Sequence, residues 1–335
     1  MAEPFDRRGL LAGALGLAGA AVLGGCSQAV DPRGLRLGFF PNVTHAPALL
    51  GMASGDFARS LGGVRLTGHA FNAGPEALGA LLAGALDLLY VGPVPAVTGY
   101  LRTRGRGLRI VSGTASGGSA LVARPGLVRG AQDLRGRRVA TPQLGNSQDL
   151  ALRGWLLRHG LRSLEYGGDV RVTPLRNSLI LQQFRRGFLD AAWVPEPWAT
   201  RLVEEAGAVR VFDESTLWPG GRFAATVLVA RGAYLAAGAD NVGRLLTAHE
   251  GAIRAAQAGG PAVQDAVREA MARYGARVSG RLLGAAWGRV EFTADPLQAT
   301  IAEMARVGSR LALVPPGDVA GLVACPRAGG AGIGA

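Results

Sequence analysis

The polar turn Gln143–Asp149 has the residue types and the position of an anion-binding site. It follows a short predicted strand, Arg138–Ala140, and begins a helix predicted to continue to His159. The first amide groups of a helix lack an intrahelical acceptor and carry partial positive charge, which favours an anion there. The expected contacts in this turn are Gln143, Gly145, Asn146 and Ser147. Ordinary capping of the helix is the alternative, and Asp149 weighs against an anion bound directly at this point.

The turn Pro41–His45, after the predicted first strand Leu35–Phe40, offers a second set of donors. The candidate ligand-binding residues here are Asn42, Thr44 and His45. Asn and Thr are also common at the start of a helix, so both are candidate caps as well. His45 either donates a hydrogen bond to an oxyanion or is only a capping or surface histidine, and the sequence leaves both interpretations open.

Glycine and proline mark three more places where a predicted strand ends or a helix begins. These places are Gly74–Pro75, Gly92–Pro93 and the loop 116–118. Each one alone indicates only a turn. Because ligands bind at the carboxyl ends of the strands in an open α/β sheet, their shared position at one edge favours a joint role in binding. We therefore expect six residues near the ligand: Gly74, Gly92, Pro93, Ser116, Gly117 and Gly118.

The segment Gly187–Thr200 contains a buried strand, Ala191–Val194, that stops at two prolines, and the segment Gly84–Thr98 repeats its plan. Two copies of one strand-to-loop unit indicate two lobes that face one cleft. We expect Trp193 and Glu196 to form the rim of that cleft in the second lobe. An acid is unexplained beside an anionic solute. It either pairs with an arginine across the cleft or indicates that the solute also carries a positive charge.

Residues suited to catalysis or to metal binding are scarce. The chain contains no Gly-x-Ser-x-Gly nucleophile elbow and no Gly-x4-Gly-Lys phosphate loop, and its four histidines lie far apart. Of the two cysteines, Cys26 belongs to the amino-terminal segment and Cys325 to a tail rich in Gly and Ala. No cysteine is therefore a candidate nucleophile. We expect a protein that is not an enzyme and that needs no cofactor and no metal.

Two similar series of strands and helices must position the candidate residues. A βαβαβ series is predicted over residues 35–91, and the same order restarts near residue 138, so parallel sheets with right-handed crossovers are expected. The matched pairs have nearly equal offsets of 101, 106 and 103 residues: Pro41 with Pro142, Val64 with Val170, and Asp87 with Asp190. A period of this length indicates a duplicated domain rather than a solenoid.

Two further strands, near residues 120–123 and 222–231, resemble each other and are predicted to cross between the lobes. Two crossings allow the lobes to rotate as rigid bodies about a few hinge residues. The predicted fold class is therefore α/β with two lobes, each a mostly parallel sheet flanked by helices. The predicted boundaries are 35–121 for the first part of lobe 1, 122–225 for lobe 2, 226–314 for the return to lobe 1 and the C-terminal helices, and 315–335 for a disordered tail.

The composition describes an ordinary globular protein with a basic balance. The 335 residues are 48% hydrophobic and 18% charged, the formal net charge is +12, and every basic residue other than histidine is arginine. Nucleic-acid binding requires a clustered basic face with interleaved aromatic residues, whereas these arginines are scattered. We therefore expect no nucleic-acid partner. Attraction to anionic lipid or to an anionic solute is a secondary possibility.

Residues 1–26 have the pattern of a lipoprotein signal peptide. Arg7 and Arg8 precede an apolar run, Gly9–Leu23, of 15 residues, which is too short for a membrane span. The run ends in Leu23–Cys26, which is similar to a lipobox, and residues 27–34 are predicted to be a tether. The paired arginines loosely resemble a twin-arginine export signal. We expect export and a lipid anchor on Cys26 that holds the protein at the outer face of the cytoplasmic membrane.

Five stretches in a fixed order resemble a known family. They are Leu37–Ala48, Phe71–Ala77, Tyr90–Pro95, Ala140–Asp149 and Trp193–Trp198. Together they are similar to the aliphatic sulfonate/nitrate/taurine group of extracytoplasmic solute-binding proteins of ABC importers, over about residues 35–312. The resemblance implies a type II periplasmic-binding-protein fold whose hinge closes on the solute. Asn72, in the second stretch, is also expected to bind the ligand.

The predicted function is capture of a small organic anion, an aliphatic sulfonate above all, between the lobes of a monomeric lipoprotein. The resemblance implies delivery to an ABC permease driven by a cytoplasmic ATPase. Backbone amides and neutral side-chain donors are expected to meet the charge, because burying a cationic side chain is costly. The alternatives are nitrate, taurine or bicarbonate as the solute, or a vitamin precursor bound by the same fold. A desulfinase of this superfamily uses a cysteine nucleophile in the cleft, which this chain lacks.

Overall fold

The computed structural model describes residues 30–324. The predicted signal peptide with Cys26, residues 27–29 of the predicted tether, and residues 325–335 lie outside the described residues. The strands are β1 Gly34–Phe39, β2 Arg65–Ala70, β3 Leu88–Val91, β4 Leu108–Gly117, β5 Ser119–Ala123, β6 Arg138–Thr141, β7 Arg171–Pro174, β8 Ala191–Pro195, β9 Val209–Asp213, β10 Ala224–Arg231 and β11 Val290–Phe292. The helices are α1 Ala46–Ala53, α2 Asp56–Ser60, α3 Gly74–Leu82, α4 Pro93–Arg102, α5 Ser147–Arg158, α6 Asn177–Arg185, α7 Trp198–Ala206, α8 Gly232–Ala237, α9 Ala239–Ala258, α10 Pro261–Arg273, α11 Gly280–Trp287 and α12 Gln298–Arg310.

The strands form two sheets, and each sheet is the centre of one lobe. The sheet of lobe 1 has the order β11-β4-β10-β3-β1-β2, and the sheet of lobe 2 has the order β7-β6-β8-β5-β9. The triplets β2-β1-β3 and β7-β6-β8 are parallel, as the two βαβαβ series predict. The strands next to the crossings, β4, β5, β9 and β10, add antiparallel pairs. The prediction of an α/β protein with two lobes is confirmed.

The chain passes between the sheets twice. The first passage is at Gly117 and Gly118, which have φ angles of 76° and 68° between β4 in lobe 1 and β5 in lobe 2. A Cβ atom on Gly118 would lie 2.6 Å from the Val290 side chain, so both the backbone angle and the space require glycine here. The second passage is the segment 214–223, which joins β9 to β10 through two short 3-10 turns.

The same arginine–aspartate clamp fixes both parallel triplets. In lobe 1, the Asp87 carboxylate accepts hydrogen bonds from the backbone N, Nε and Nη2 of Arg36, at 3.0, 2.9 and 2.8 Å. In lobe 2, Asp190 accepts the corresponding three bonds from Arg138, at 2.8, 3.0 and 2.8 Å. Three equivalent bonds at equivalent strand positions are a structural sign of the duplication that the sequence offsets indicate.

The clamps differ in what the crossing strands add to them. Arg231, at the end of β10, donates from its backbone N to the Asp87 carbonyl at 2.8 Å and from Nη2 to the Asp87 carboxylate at 2.9 Å. Arg124, just after β5, makes the same backbone bond to Asp190 at 2.9 Å, but its Nη2 donates to the Phe184 carbonyl. Asp87 therefore binds two guanidinium groups, and Asp190 binds one.

Three parts of the chain differ from the expected elements. The helical region that follows the turn Pro41–His45 is broken into α1 and α2, because Gly55 adopts φ 75° between them. The expected loops after β3 and β8 are short turns that lead at once into α4 and α7. Pro93 begins α4 because its missing N–H is not needed in the first turn of a helix and its fixed φ suits that position.

The end of the described chain is held against lobe 1. The Ile110 amide donates to the Leu322 carbonyl, and the Ala324 amide donates to the Ile110 carbonyl, both at 2.9 Å. The Leu322 side chain is fully buried. The prediction of disorder from residue 315 therefore does not hold for 315–324, where one leucine and two backbone bonds tie a Gly/Pro-rich segment to β4.

Each sheet is covered by apolar side chains on both faces, and one of these cores includes a residue from the other lobe. Leu150 of α5, in lobe 2, packs with Ile301, Met304 and Ala305 of α12 in the core of lobe 1. The two lobes are therefore in apolar contact as well as covalently joined. Within residues 30–324, no helix has the length and hydropathy needed to cross a membrane.

Candidate functional site

A cleft of about 370 Å³ lies between the lobes, at the carboxyl ends of the parallel strands. Each of the six parallel strands contributes the turn that follows it. The lining segments are 40–45 after β1, 71–74 after β2, 92–95 after β3, 142–148 after β6, 176–178 after β7 and 195–201 after β8. Residues 225–226 of β10 and the loop 274–276 complete the wall. The cleft is therefore built from the same three junctions in each lobe.

Six helices begin at this cleft, because each parallel strand is followed by a helix that runs back along its sheet. These helices are α1, entered through the 3-10 turn 43–45, and α3, α4, α5, α6 and α7. A helix N-terminus carries roughly half a positive charge and has amide groups without intrahelical acceptors. The geometry therefore directs partial positive charge into the cleft from both lobes.

In the turn before α5, local hydrogen bonds cap the helix and still leave two of its first amide groups unpaired among the described residues. The Asn146 Oδ1 accepts from the Asp149 amide at 2.8 Å and caps the helix. Asp149 is fully buried and accepts from Thr141, the Gly145 amide and the Arg153 Nε, at 2.9, 3.1 and 3.0 Å. The acid that weighed against an anion is therefore turned away from the cleft and paired. The amides of Ser147 and Gln148 are left at the open helix end.

Ser147 is also where the two lobes touch inside the cleft. Its Oγ accepts a long hydrogen bond of 3.4 Å from the Val94 amide in the first turn of α4. A Cβ atom on Gly92 would lie 2.7 Å from the same Oγ. Glycine at position 92 therefore allows the N-termini of α4 and α5 to approach each other, which concentrates donors from both lobes at one point.

His45 lies in the cleft wall as a neutral donor. Its side chain is buried, its ring stacks on Phe40 with centroids 4.5 Å apart, and its Nδ1 accepts from the Phe40 amide at 3.3 Å. Burial lowers the pKa of His45 to about 3, so the ring is uncharged at neutral pH. Because Nδ1 is an acceptor, the proton of the neutral ring is on Nε2, which serves as a hydrogen-bond donor.

Two asparagines, one from each lobe, have an unused polar atom at the cleft. The Oδ1 atoms of Asn42 and Asn177 are buried and have no hydrogen-bond partner among residues 30–324. Both residues line the cleft. A buried polar atom without a partner costs free energy comparable to a lost hydrogen bond, and an amide oxygen is an acceptor, so each of these two atoms calls for a hydrogen-bond donor.

Two arginines bring full positive charge to the rim of the cleft in lobe 2. Arg201 is already occupied, since its Nε donates to Glu205 at 2.8 Å and its guanidinium lies over the Trp198 ring at 4.7 Å. Arg176, in the turn before α6, is exposed, and its side chain forms no ion pair or hydrogen bond within the described part of the chain. Sequence analysis did not select Arg176, although its place between a strand and a helix was an available signal.

The structure brings half of the predicted ligand-binding residues together. The residues that line the cleft are Asn42, Thr44, His45, Asn72, Gly74, Gly92, Asn146 and Ser147. The residues outside its lining are Pro93, Ser116, Gly117, Gly118, Gln143, Gly145, Trp193 and Glu196. Ser116 is used in the fold, because its Oγ accepts from the Phe223 amide at 3.1 Å. Gly117 and Gly118 form the first passage between the lobes.

Trp193 and Glu196 are buried inside lobe 2 and do not form the rim of the cleft. Trp193 packs against Trp155 and Phe212, and its Nε1 donates to Glu214 at 2.8 Å. Glu196 accepts from the Thr200 amide at 3.0 Å in the first turn of α7 and pairs with Arg210 of β9. The acid therefore has a structural partner in its own lobe rather than across the cleft. Its presence carries no information about charge on the solute.

Three buried titratable groups predict how stability depends on pH. Burial lowers the pKa of His45 to about 3 and that of His249 to about 4, and it raises the pKa of Glu214 to about 7. The ordinary pKa is 4.5 for Glu and 6.5 for His. Between these two pH values, the two histidines bind fewer protons in the folded protein than in the unfolded chain, whereas Glu214 binds more in the folded protein. These groups therefore make stability rise with pH by at most about 1.4 kcal/mol per pH unit in this range.

The Glu214→Gln variant removes the contribution of Glu214 to the pH dependence of stability, which opposes that of the two histidines. It keeps a hydrogen-bond acceptor for Trp193. We expect its unfolding free energy to rise more steeply with pH between 4.5 and 6.5 than that of the wild type. Urea unfolding at several pH values measures both slopes. An equal or shallower slope in the variant would contradict this assignment.

Comparison with known proteins agrees with this geometry. The SsuA alkanesulfonate-binding protein of Xanthomonas axonopodis pv. citri, bound to MOPS, is 20% identical with a TM-score of 0.70, over 86% of this chain and 96% of that one. The periplasmic aliphatic sulphonate-binding protein SsuA of Escherichia coli is 19% identical with a TM-score of 0.72, over 89% and 94%. The periplasmic nitrate-binding protein NrtA of Synechocystis PCC 6803 is 14% identical with a TM-score of 0.71, over 86% and 83%. The expected two-lobe periplasmic-binding-protein fold is confirmed.

Sequence comparison identifies the family. A protein of Brucella abortus described as a binding protein is 26% identical over 181 residues, 54% of each chain, so the match spans about half the length of that curated relative. The NMT1-like family model matches residues 28–274, which is more than half of the chain. The chain therefore belongs to the NMT1-like family.

Proposed function

We propose that this protein is the extracytoplasmic solute-binding component of an ABC importer and that it captures a small organic anion between its lobes. The observation that carries the proposal is the chemistry of the cleft. Six helix N-termini face it, two arginines lie on its rim, and its lining contains no Asp or Glu within the described part of the chain. A site of this kind favours anions and disfavours cations.

The donors available are sufficient for uptake at low concentration. A dissociation constant near 1 μM corresponds to about 8 kcal/mol. Hydrogen bonds to a charged group contribute about 1.5–3 kcal/mol each, before the cost of ordering the ligand. Amides at the helix ends, the Ser147 hydroxyl and the His45 Nε2 are neutral, so they avoid the desolvation cost of a buried cation. Arg176 adds a full charge at the exposed rim, where that cost is small.

An organic anion, with an aliphatic sulfonate as the first choice, fits the cleft better than an inorganic ion. Its volume of about 370 Å³ is in the usual range for sites that bind small organic molecules. Apolar surface from Phe40, Phe71 and Trp198 also lines it. Nitrate or bicarbonate would leave most of this space and these rings to water. The similarity to two sulfonate-binding proteins supports the same choice.

Calorimetric titration of the purified protein tests the proposal. The panel contains short alkanesulfonates, taurine, nitrate, bicarbonate, and the uncharged alcohol that matches each sulfonate. We expect saturable binding of the sulfonates and none of the alcohols, with a shift in melting temperature in the same order. Tighter binding of nitrate, taurine or bicarbonate would keep the importer and change the solute. No response to any anion would contradict anion capture.

We also propose export and lipid anchoring at Cys26, which rest on the pattern of residues 1–26 alone. The expected result is that the wild type partitions into the membrane fraction and that the Cys26→Ser variant is released. Mass spectrometry of the mature amino terminus measures the modification directly. An unmodified Cys26 in the mature protein would exclude the anchor and would leave the proposal about the cleft intact.

A further inference from the structure

A second cavity with a basic lining lies against the C-terminal half of α5. This rear cavity has a volume of about 230 Å³. Lobe 2 supplies Arg153, Arg162, Ser163 and Tyr166, and lobe 1 supplies Arg310 at the end of α12. The remaining wall is apolar, from leucines and an alanine of the same segments. The rear cavity therefore spans both lobes, as the cleft does, but it shares no residue with the cleft.

Arg153 is the buried charge of the rear cavity, and one of its donors is unused. The side chain is only 3% exposed. Its Nε donates to Asp149 at 3.0 Å, and its Nη1 donates to Ser163 at 2.8 Å and to Glu165. The Nη2 atom is buried and has no acceptor among residues 30–324. A buried guanidinium N–H without an acceptor is destabilising, so this position calls for an oxygen that the chain does not supply.

The two other arginines of the rear cavity are also available. The side chains of Arg162 and Arg310 are exposed and form no ion pair or hydrogen bond within the described ranges. Asp149 and Glu165 are both bound to Arg153. Glu303, which is near enough to Arg310 for the charge of that arginine to act on it, is bound to Arg306. These carboxylates are therefore occupied, and Arg162 and Arg310 have no ion-pair partner within the described ranges.

We propose that the rear cavity is a second anion site, which takes an oxyanion of the phosphate or sulfate type. One oxygen would accept from the unused Nη2 of Arg153, and the others would pair with Arg162 of lobe 2 and Arg310 of lobe 1. Arginine binds such oxygens through short, charge-assisted bonds. Since the anion would contact both lobes, it would stabilise the arrangement of the lobes that brings Arg153 and Arg310 together. The site does not depend on the proposed function.

Titration with inorganic phosphate and with sulfate tests the rear cavity. Each is measured by calorimetry on the mature protein in an Arg176→Gln background, which weakens competing binding in the cleft. We expect saturation with a dissociation constant at or below about 1 mM. We expect Arg310→Gln or Arg162→Gln to weaken it about tenfold or more, because each removes a charge-assisted contact. Both residues are exposed, so the variants keep the fold, which circular dichroism checks.

Arg254→Gln is the matched control. Arg254 is an exposed arginine of α9 with no ion pair among the described residues, and it lies outside the rear cavity. Its variant should bind phosphate as the parent protein does. Equal phosphate binding by the Arg310→Gln and Arg254→Gln variants would overturn the proposal.

A parallel arm distinguishes a free oxyanion from a phosphate on a lipid. Co-sedimentation uses phosphatidylglycerol vesicles, with phosphatidylcholine vesicles for comparison. Binding to phosphatidylglycerol that Arg310→Gln removes, without binding of inorganic phosphate, supports the site with a lipid head group as its source. Binding of inorganic phosphate alone supports it with a free ion. Absence of both signals rejects the site.

Discussion

Replacing Asp87 with Ala lowers the free energy of unfolding by about 3–5 kcal/mol, because it leaves the buried guanidinium group of Arg231 without its carboxylate and removes the same carboxylate from the half-buried Arg36. The Asp87 side chain is 3% exposed and pairs with Arg36 at 2.8 Å and with Arg231 at 2.9 Å. Burial alone would raise the pKa of this carboxyl group, but the bonds from Arg36 and Arg231 outweigh burial and hold the pKa below its ordinary value. Chemical unfolding of the variant and the wild type measures the difference.

Asp190→Ala is the matched control for this prediction. Asp190 makes the corresponding clamp with Arg138, but it has one ion-pair partner, and the Arg138 side chain is 40% exposed. Water can therefore replace part of the lost interaction, and we expect a clearly smaller loss of stability than for Asp87→Ala. An equal or larger loss in Asp190→Ala would show that the second arginine on Asp87 adds nothing.

Replacing Arg176 with Gln weakens binding of the anionic solute by about 10- to 100-fold, which corresponds to the loss of one charge-assisted hydrogen bond. Arg176 lines the cleft, is exposed, and has no ion-pair partner within residues 30–324. No internal bond has to be broken when it turns to the solute, so most of the interaction appears as affinity. Because the contact is electrostatic and near solvent, the difference between wild type and variant should shrink as salt rises.

Arg201→Gln is the comparison that separates a specific contact from general charge. Arg201 lies on the same rim, but Glu205 and the Trp198 ring already hold it. Its variant changes the net charge by the same amount, and we expect only a small effect on affinity. If both variants lose the same affinity, Arg176 acts through the overall field of the lobe and not through a contact.

The fold was predictable because its main signals are local and occur twice. Two features repeat at nearly constant offsets: strands that end at Pro41 and Pro142, and aspartates at positions 87 and 190. These repeats predicted both lobes before any contact was known. The elements that were missed have weak or ambiguous local signals. Pro93 both ends strand pairing and begins a helix, and only packing of α4 on the sheet decides between these roles.

The sequence predicted the position of the site only as precisely as it predicted the ends of the strands. Asn42, Gly74, Asn146 and Ser147 line the cleft because a strand-to-helix turn must lie at that edge of the sheet. Glu196 occupies an equivalent turn, yet its side chain is directed inward to Arg210, a partner 14 residues away on another strand. Whether a side chain in such a turn faces the cleft or the interior depends on tertiary partners. The same dependence explains why Arg176 was missed and Trp193 was wrongly placed at the rim.

The six helix N-termini around the cleft have a consequence for the empty protein. These ends carry partial positive charge, apart from that of α7, where the Glu196 carboxylate lies in the first turn. Bringing the lobes together without a solute would force like charges into a space from which water is being removed. An anion cancels that repulsion, whereas a neutral molecule of the same shape does not. On the proposed function, the electrostatics that attract the solute would also penalise closure of the lobes without it. A downstream partner that responds only to the closed shape would then rarely be engaged by an unloaded molecule.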